Sequence, residues 1–270
     1  NDSGTSNTIF GKNAGDNLHS GSIENIFIGE LAGGTGTQLT ASDRNVGIGM
    51  RSLEDLTGGN NNTALGTRSA LALTTGSGNT VLGSYALYAS TDVDNTVVIG
   101  KDACAAVLTG GGGADGTVAI GASALTALTS GVGNVAIGFQ AGKAATDNSR
   151  NTVIGHGAYI YSTSSDDNVV VGFNALRNAG SANAGSNKNI AIGSYALDAA
   201  DGGENDNIAI GYDAMGNANN SSTEFNIAIG NYTLDAIAGN TQTGTIAIGH
   251  NALTALTSGA SNTAVGYQCL

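Results

Sequence analysis

The chain has 270 residues, among them 43 glycines, no proline and no tryptophan, and only 11 % of it is charged. Twenty-one acidic against nine basic residues give a net charge of −12, a balance that repels phosphate backbones and argues against nucleic acid as a partner. The glycines lack the three-residue period of collagen, and no apolar run approaches the roughly 18 residues of a membrane-spanning helix.

The opening residues, Asn1 to Asn7, have neither the basic nor the apolar region of a signal peptide, so the chain reads as a soluble protein or a processed piece of one. From Asn7 onward one phrase recurs fifteen times: Asn, a β-branched residue, a small residue, a large apolar residue, Gly, two variable positions, then Ala-Leu. Its anchors are Gly11, Gly29, Gly49, Gly66, Gly83, Gly100, Gly121, Gly138, Gly155, Gly172, Gly193, Gly211, Gly230, Gly249 and Gly266. They are spaced 17 to 21 residues apart, most often 17, and the insertions fall between phrases. Loops of variable length therefore join a fixed unit, and the period suits one coil of a β-solenoid rather than a helix pair. The predicted fold is all-β: a parallel β-solenoid, or β-roll, of about 15 coils forming one repeat-built domain over residues 1–270. At about 4.7 to 4.9 Å per coil this is a rod on the order of 70 Å long.

The three residues before each glycine form the predicted strand, ending in turn at Phe10, Ile28, Ile48, Leu65, Leu82, Ile99, Ile120, Ile137, Ile154, Val171, Ile192, Ile210, Ile229, Ile248 and Val265. The first and third strand positions share one face, which is expected to look into the coil. The middle position lies on the opposite face and is most often Ala, as in Ala119, Ala136, Ala191, Ala209, Ala228 and Ala247. A strand apolar on both faces is covered on both, and a monomer bare along such a row would exceed the apolar patch normal for a soluble protein. These alanines are therefore the expected subunit interface, the partner being further copies of the chain, three about a common axis.

Each phrase opens on Asn, from Asn7 and Asn25 to Asn262, except at Thr96, Thr117 and Thr245. Asn suits a corner between loop and strand, and stacked amides form ladders. After the glycine corner, a small residue such as Ala86 or Ala196 is expected to fit a tight second strand, and a large one such as Leu87, Leu197 or Met215 plugs the coil.

The phrases Asn134 to Gly142, Asn207 to Met215 and Asn262 to Leu270 resemble two related groups. One is the head repeat of trimeric autotransporter adhesins; the other, nearer in period and wording, is the repeat region of phage tail fibres. The resemblance implies a left-handed solenoid, a homotrimer, and an extracellular place on a cell surface or virion. It further implies attachment to a cell-surface polysaccharide or protein receptor, without enzymatic chemistry.

Acidic residues gather in the loops before the strands: Asp43, Asp92, Asp94, Asp147, Asp166, Asp167, Glu204, Asp206, Asp213 and Glu224. They read as a solvated exterior. The loop Ala200 to Asn207 supplies some of the six to eight oxygens that calcium needs, and no other cofactor is expected. No catalytic set is expected, since His19, His156 and His250 are far apart in sequence and read as exposed substitutions. Cys104 and Cys269 read as packed free thiols, and the run Gly110 to Gly113 as a loop insertion. Tyr85, Phe139, Phe173, Tyr195, Tyr212, Tyr232 and Tyr267 occupy the two slots after the glycine, where a stripe of rings offers a recognition surface for sugars or protein. Two further readings are a structural filament stacked end to end and a polysaccharide-cleaving enzyme like a tailspike, which needs a carboxylate cleft.

Overall fold

The computed structural model describes residues 6–34, 41–106, 114–180, 185–220, 222–237 and 241–270. The expected insertion Gly110 to Gly113 lies outside these residues. Among the described residues there is no helix, and none is therefore long and apolar enough to cross a membrane. The chain forms two compact units, Asn1–Gly133 and Asn134–Leu270, and each is a parallel β-solenoid.

The first unit holds β1 (Thr8–Phe10), β2 (Ile26–Ile28), β3 (Val46–Ile48), β4 (Thr63–Leu65), β5 (Thr80–Leu82), β6 (Val97–Ile99) and β7 (Val118–Ile120). The second holds β8 (Val135–Ile137), β9 (Thr152–Ile154), β10 (Val169–Val171), β11 (Ile190–Ile192), β12 (Ile208–Ile210), β13 (Ile227–Ile229), β14 (Ile246–Ile248) and β15 (Thr263–Val265). Within each unit every strand pairs in parallel with the next, at identical phrase positions, as in Ile190↔Ile208, Ala191↔Ala209 and Ile192↔Ile210. The longest insertions leave this register untouched: Val97 still meets Val118, and Val169 still meets Ile190.

Two corners hold each strand to three residues. The glycine after the strand has φ between 132° and 147°, a region closed to side chains. It also stacks on the next coil, so that a methyl on Gly211 would run into the carbonyl oxygen of Gly230. At the other corner the asparagine amides form the expected ladder. The Asn207 side-chain oxygen accepts from the backbone N–H of Asn226 at 3.0 Å and from its Nδ2 at 3.0 Å. Its own Nδ2 donates to Asn189 Oδ1 at 3.2 Å and to the carbonyl of Thr223 at 2.8 Å. The same pattern runs from Asn7 to Asn79 in the first unit and from Asn134 to Asn226 in the second. Burial of these amides costs little because every donor and acceptor is met.

The faces of the strand are assigned the other way round from the sequence-based expectation. Ala119, Ala136, Ala191, Ala209, Ala228 and Ala247 are each 0 % exposed within the single chain, so they line the interior of the coil and cannot be the subunit interface. The flanking β-branched residues point outward and are half-buried to exposed, in both units. The reason is room. A second row of small residues, Ala124, Ala141, Ala196, Ala214, Thr233 and Ala252, is buried in the same coils. The predicted plugs Leu87, Leu125, Leu176, Leu197, Met215 and Leu234 fill what is left. Ile or Val at two of three inward strand positions would overpack so narrow a coil. At one coil Tyr159 replaces the Leu plug and reaches the asparagine corner, accepting from Asn148 Nδ2 at 3.0 Å and donating to the Ser165 carbonyl at 2.7 Å.

Candidate functional site

Immediately after the glycine corner the chain turns outward, and in the second unit this slot carries rings on successive coils. Phe139, His156, Phe173, Tyr195, Tyr212, Tyr232, His250 and Tyr267 form one unbroken ladder, with neighbouring ring centres 5.0 to 6.1 Å apart. Six of the seven proposed recognition residues thus belong to a single feature. Most are exposed at 40 % or more, so the stripe lies on the surface rather than under the loops. Tyr195 and Tyr232 come from the second slot after the glycine, where φ is 61° and 55°, and the others from the first; the left-handed backbone swings both positions into one line. Tyr85 stands apart in the first unit, paired with Tyr88 at 5.3 Å and covered by the Arg68 guanidinium at 5.4 Å.

His156 and His250 were missed by reasoning from residue type. The signal was positional: both occupy the aromatic slot, and each sits between two rings. They act here as aromatic rungs. In the first unit the same slot holds Lys12, Glu30, Met50, Thr67, Ser84, Lys101 and Ala122, so the ladder is a property of the second unit alone.

The loop acids have more structural work than a solvated exterior requires. Asp43, Asp94 and Asp115 each accept the backbone N–H of a residue one coil earlier, at 2.6 to 3.0 Å, and Asp166 does the same for Ser149 at 2.7 Å. Arg150 binds Asp167 at 2.6 and 3.0 Å and approaches Asp166 at 3.6 Å. An open groove of about 500 Å³ is lined by Asp166, Asp167, Asn187, Lys188, Asn205, Asp206 and Glu224. The loop considered for calcium divides: Asp206 lines this groove, whereas Glu204 turns into the coil and is 0 % exposed. Among the described residues no group of three His, Cys, Asp or Glu side chains is placed to hold a metal ion. Cys104 and Cys269 are free thiols, and burial pushes the Cys104 thiol up to about 12.

Glu204 is a buried carboxyl that forms no ion pair among the described residues. It accepts from Ser186 Oγ at 2.8 Å and from the Gly202 N–H at 3.0 Å, and burial raises it above its ordinary 4.5. Asp198 is pushed up to about 6, first by burial and then by Asp213, while burial and Asp235 raise Asp213. A folded-state value above the unfolded one means stability is fully present below the ordinary carboxylate range and is lost as pH rises through the folded value. Asp167, lowered by Arg150, has the opposite sign but stays ionised throughout this window. The melting temperature is thus expected to rise by several degrees on going from pH 7 to pH 5, with the double variant Glu204→Gln, Asp198→Asn showing a much flatter profile. Thermal melts followed by circular dichroism check this, and an unchanged slope in the variant would count against the assignment.

Comparison with protein-family models, with curated proteins and with solved structures returned no match.

Proposed function

We propose that the chain is a non-enzymatic fibre segment of a phage tail fibre or a bacterial surface adhesin, working outside the cell as a homotrimer with left-handed coils. The observation that carries this reading is the outward face of the strands. Ile26, Ile48, Leu65, Ile154, Val169, Ile192 and Ile229 are each 36 to 38 % exposed on it, and no charged residue occupies any strand position. A β-branched face of this kind calls for a partner. Another copy offers the same rows at the same coil spacing, so side chains interlock along the whole contact, and a closed ring of copies covers every such face. The aromatic ladder of the second unit is then the surface presented to a cell-surface receptor. Carboxylates in the loops hold neighbouring coils together, which favours a structural fibre over a catalytic cleft.

Light scattering on the purified chain, with and without a calcium chelator, tests the assembly. A mass of about three chains, unmoved by the chelator, is expected. The triple variant Ile192→Lys, Ile210→Lys, Ile229→Lys is expected to run as a folded monomer, whereas Ala209→Glu, which buries a charge inside the coil, is expected to lose the fold. A wild-type monomer would overturn the trimer. Very large polymers would replace it by end-to-end stacking, and dissociation by the chelator would assign the loop acids to a metal.

A further inference from the structure

The middle of the ladder differs from its ends. His156 and Phe173 lie at 29° to each other and His250 and Tyr267 at 21°, close to parallel. Tyr195, Tyr212 and Tyr232 instead meet edge to face, at 76° and 67°. The edge-to-face rings keep accessible surface, Tyr212 at 42 % and Tyr232 at 40 % exposed and Tyr195 half-buried. The same three coils carry Asp198, Asp213 and Asp235, all half-buried. Asp213 and Asp235 crowd the same spot beside Gly216, and Asn217 Nδ2 donates to Asp235 at 2.9 Å. Asp213 directly follows Tyr212, and Asp198 and Asp235 each stand three residues after the tyrosine of their coil, so rings and carboxylates share the same stretch of the same three coils.

Elsewhere the molecule shows what satisfies a surface tyrosine in this setting. The Arg68 guanidinium stands 5.4 Å from the centre of the Tyr85 ring and donates to its hydroxyl at 2.7 Å. Arg177 stands 5.0 Å from the centre of the Tyr161 ring. Among the described residues no guanidinium stands over Tyr195, Tyr212 or Tyr232 in this way, and the acids beside them supply the counter-charge, Asp213 and Asp235 more than Asp198, which the Arg177 charge partly offsets.

We propose that this patch binds an extended, arginine-bearing segment of a partner protein, its guanidinium groups lying on the Tyr195, Tyr212 and Tyr232 rings and facing Asp198, Asp213 and Asp235. The proposal rests on reading the ladder as the contact surface. Planar guanidinium stacks on rings and pairs with carboxylates together, which an ammonium group does less well. Three coils at about 4.8 Å span roughly 10 Å, enough for two same-side residues of an extended chain, which lie about 6.6 Å apart.

The test is fluorescence anisotropy of a labelled peptide of alternating Arg and Gly, titrated with the full chain at low and high salt, beside its Lys-Gly counterpart. Binding is expected to be at least about tenfold tighter for the Arg peptide, to weaken with salt, and to fall about tenfold or more in Tyr212→Ser, Tyr232→Ser and in Asp198→Asn, Asp213→Asn, Asp235→Asn. Circular dichroism checks that both variants keep the parent fold. No binding, or equal binding of both peptides that ignores the tyrosines, would overturn the proposal; the latter reports only the net charge. Tyrosine-dependent binding of an amino-sugar polymer with none of the Arg peptide would overturn this partner while keeping the ladder as contact surface. Attachment to cells that is unaffected by the tyrosine variant would overturn that reading itself.

Discussion

Gly211→Ala, like its equivalents at the other glycine corners of the second unit, is expected to cost about 3 kcal/mol or more and to remove the coils around it from the cooperative transition. Two effects add. The φ of 141° is a conformation L side chains avoid, and the new methyl is aimed at the carbonyl oxygen of Gly230. That oxygen belongs to a backbone fixed by the next coil's own corner, so it has nowhere to go. Gly244→Ala is the control. Its φ of 68° is shared by non-glycine residues at the same place in other coils, such as Asp167 at 62° and Phe225 at 59°, and its nearest neighbour would be Ser261 Oγ at 3.8 Å. That substitution is expected to cost about 1 to 2 kcal/mol, from the left-handed backbone alone. Urea denaturation of both variants decides the matter: costs within error of each other would show that the glycine column is a preference and not a requirement.

Asn207→Ala is expected to cost about 3 kcal/mol, far more than deletion of an exposed amide. Removing it leaves the Thr223 carbonyl and the Asn226 N–H buried without the partners that now stand 2.8 and 3.0 Å away. Each buried orphan costs about 1 to 3 kcal/mol. The reciprocal test uses a natural gap in the ladder. Thr245 takes its place through its backbone N–H, which donates to Asn226 Oδ1 at 2.9 Å, but its buried hydroxyl meets no partner. Thr245→Asn restores an amide at that rung and is expected to gain about 1 kcal/mol. Denaturation midpoints for the two variants should therefore move in opposite directions, and a destabilised Thr245→Asn protein would show that the corner is shaped for threonine.

Most of the architecture was legible because a repeat states its own rules fifteen times. Glycine before a variable pair, asparagine four residues earlier and a large plug after a small residue each fixed a place in the coil, and burial agrees at Asn189, Leu197 and Met215. Which strand face looks inward was not legible from alternation alone. A period of two says only that Ile190 and Ile192 face together and Ala191 faces away. The deciding quantity was volume. Alanine at the middle strand position and again three residues after the glycine means two small rows facing each other across a thin coil, and reading them jointly would have turned the assignment round. The ladder was half visible: the tyrosines and phenylalanines were grouped by slot, but the histidines were judged by their separation in sequence and not by their rings. Glu204 offered no warning, since a loop acid beside Asp201 and Asp206 has the composition of an exposed turn.

The parallel pairing of each strand with the next also bears on how fast such a chain folds. Strand partners within either unit are separated by no more than 21 residues in sequence, as for Val97 with Val118 and Val169 with Ile190. Most all-β proteins must close long loops before their first stabilising pairs form, and they fold slowly for that reason. Here the loop to be closed has the same modest size at every step, however many coils are added. Relative contact order falls as such a unit lengthens, so extra coils add stability without the kinetic penalty that lengthening brings to a sandwich or barrel.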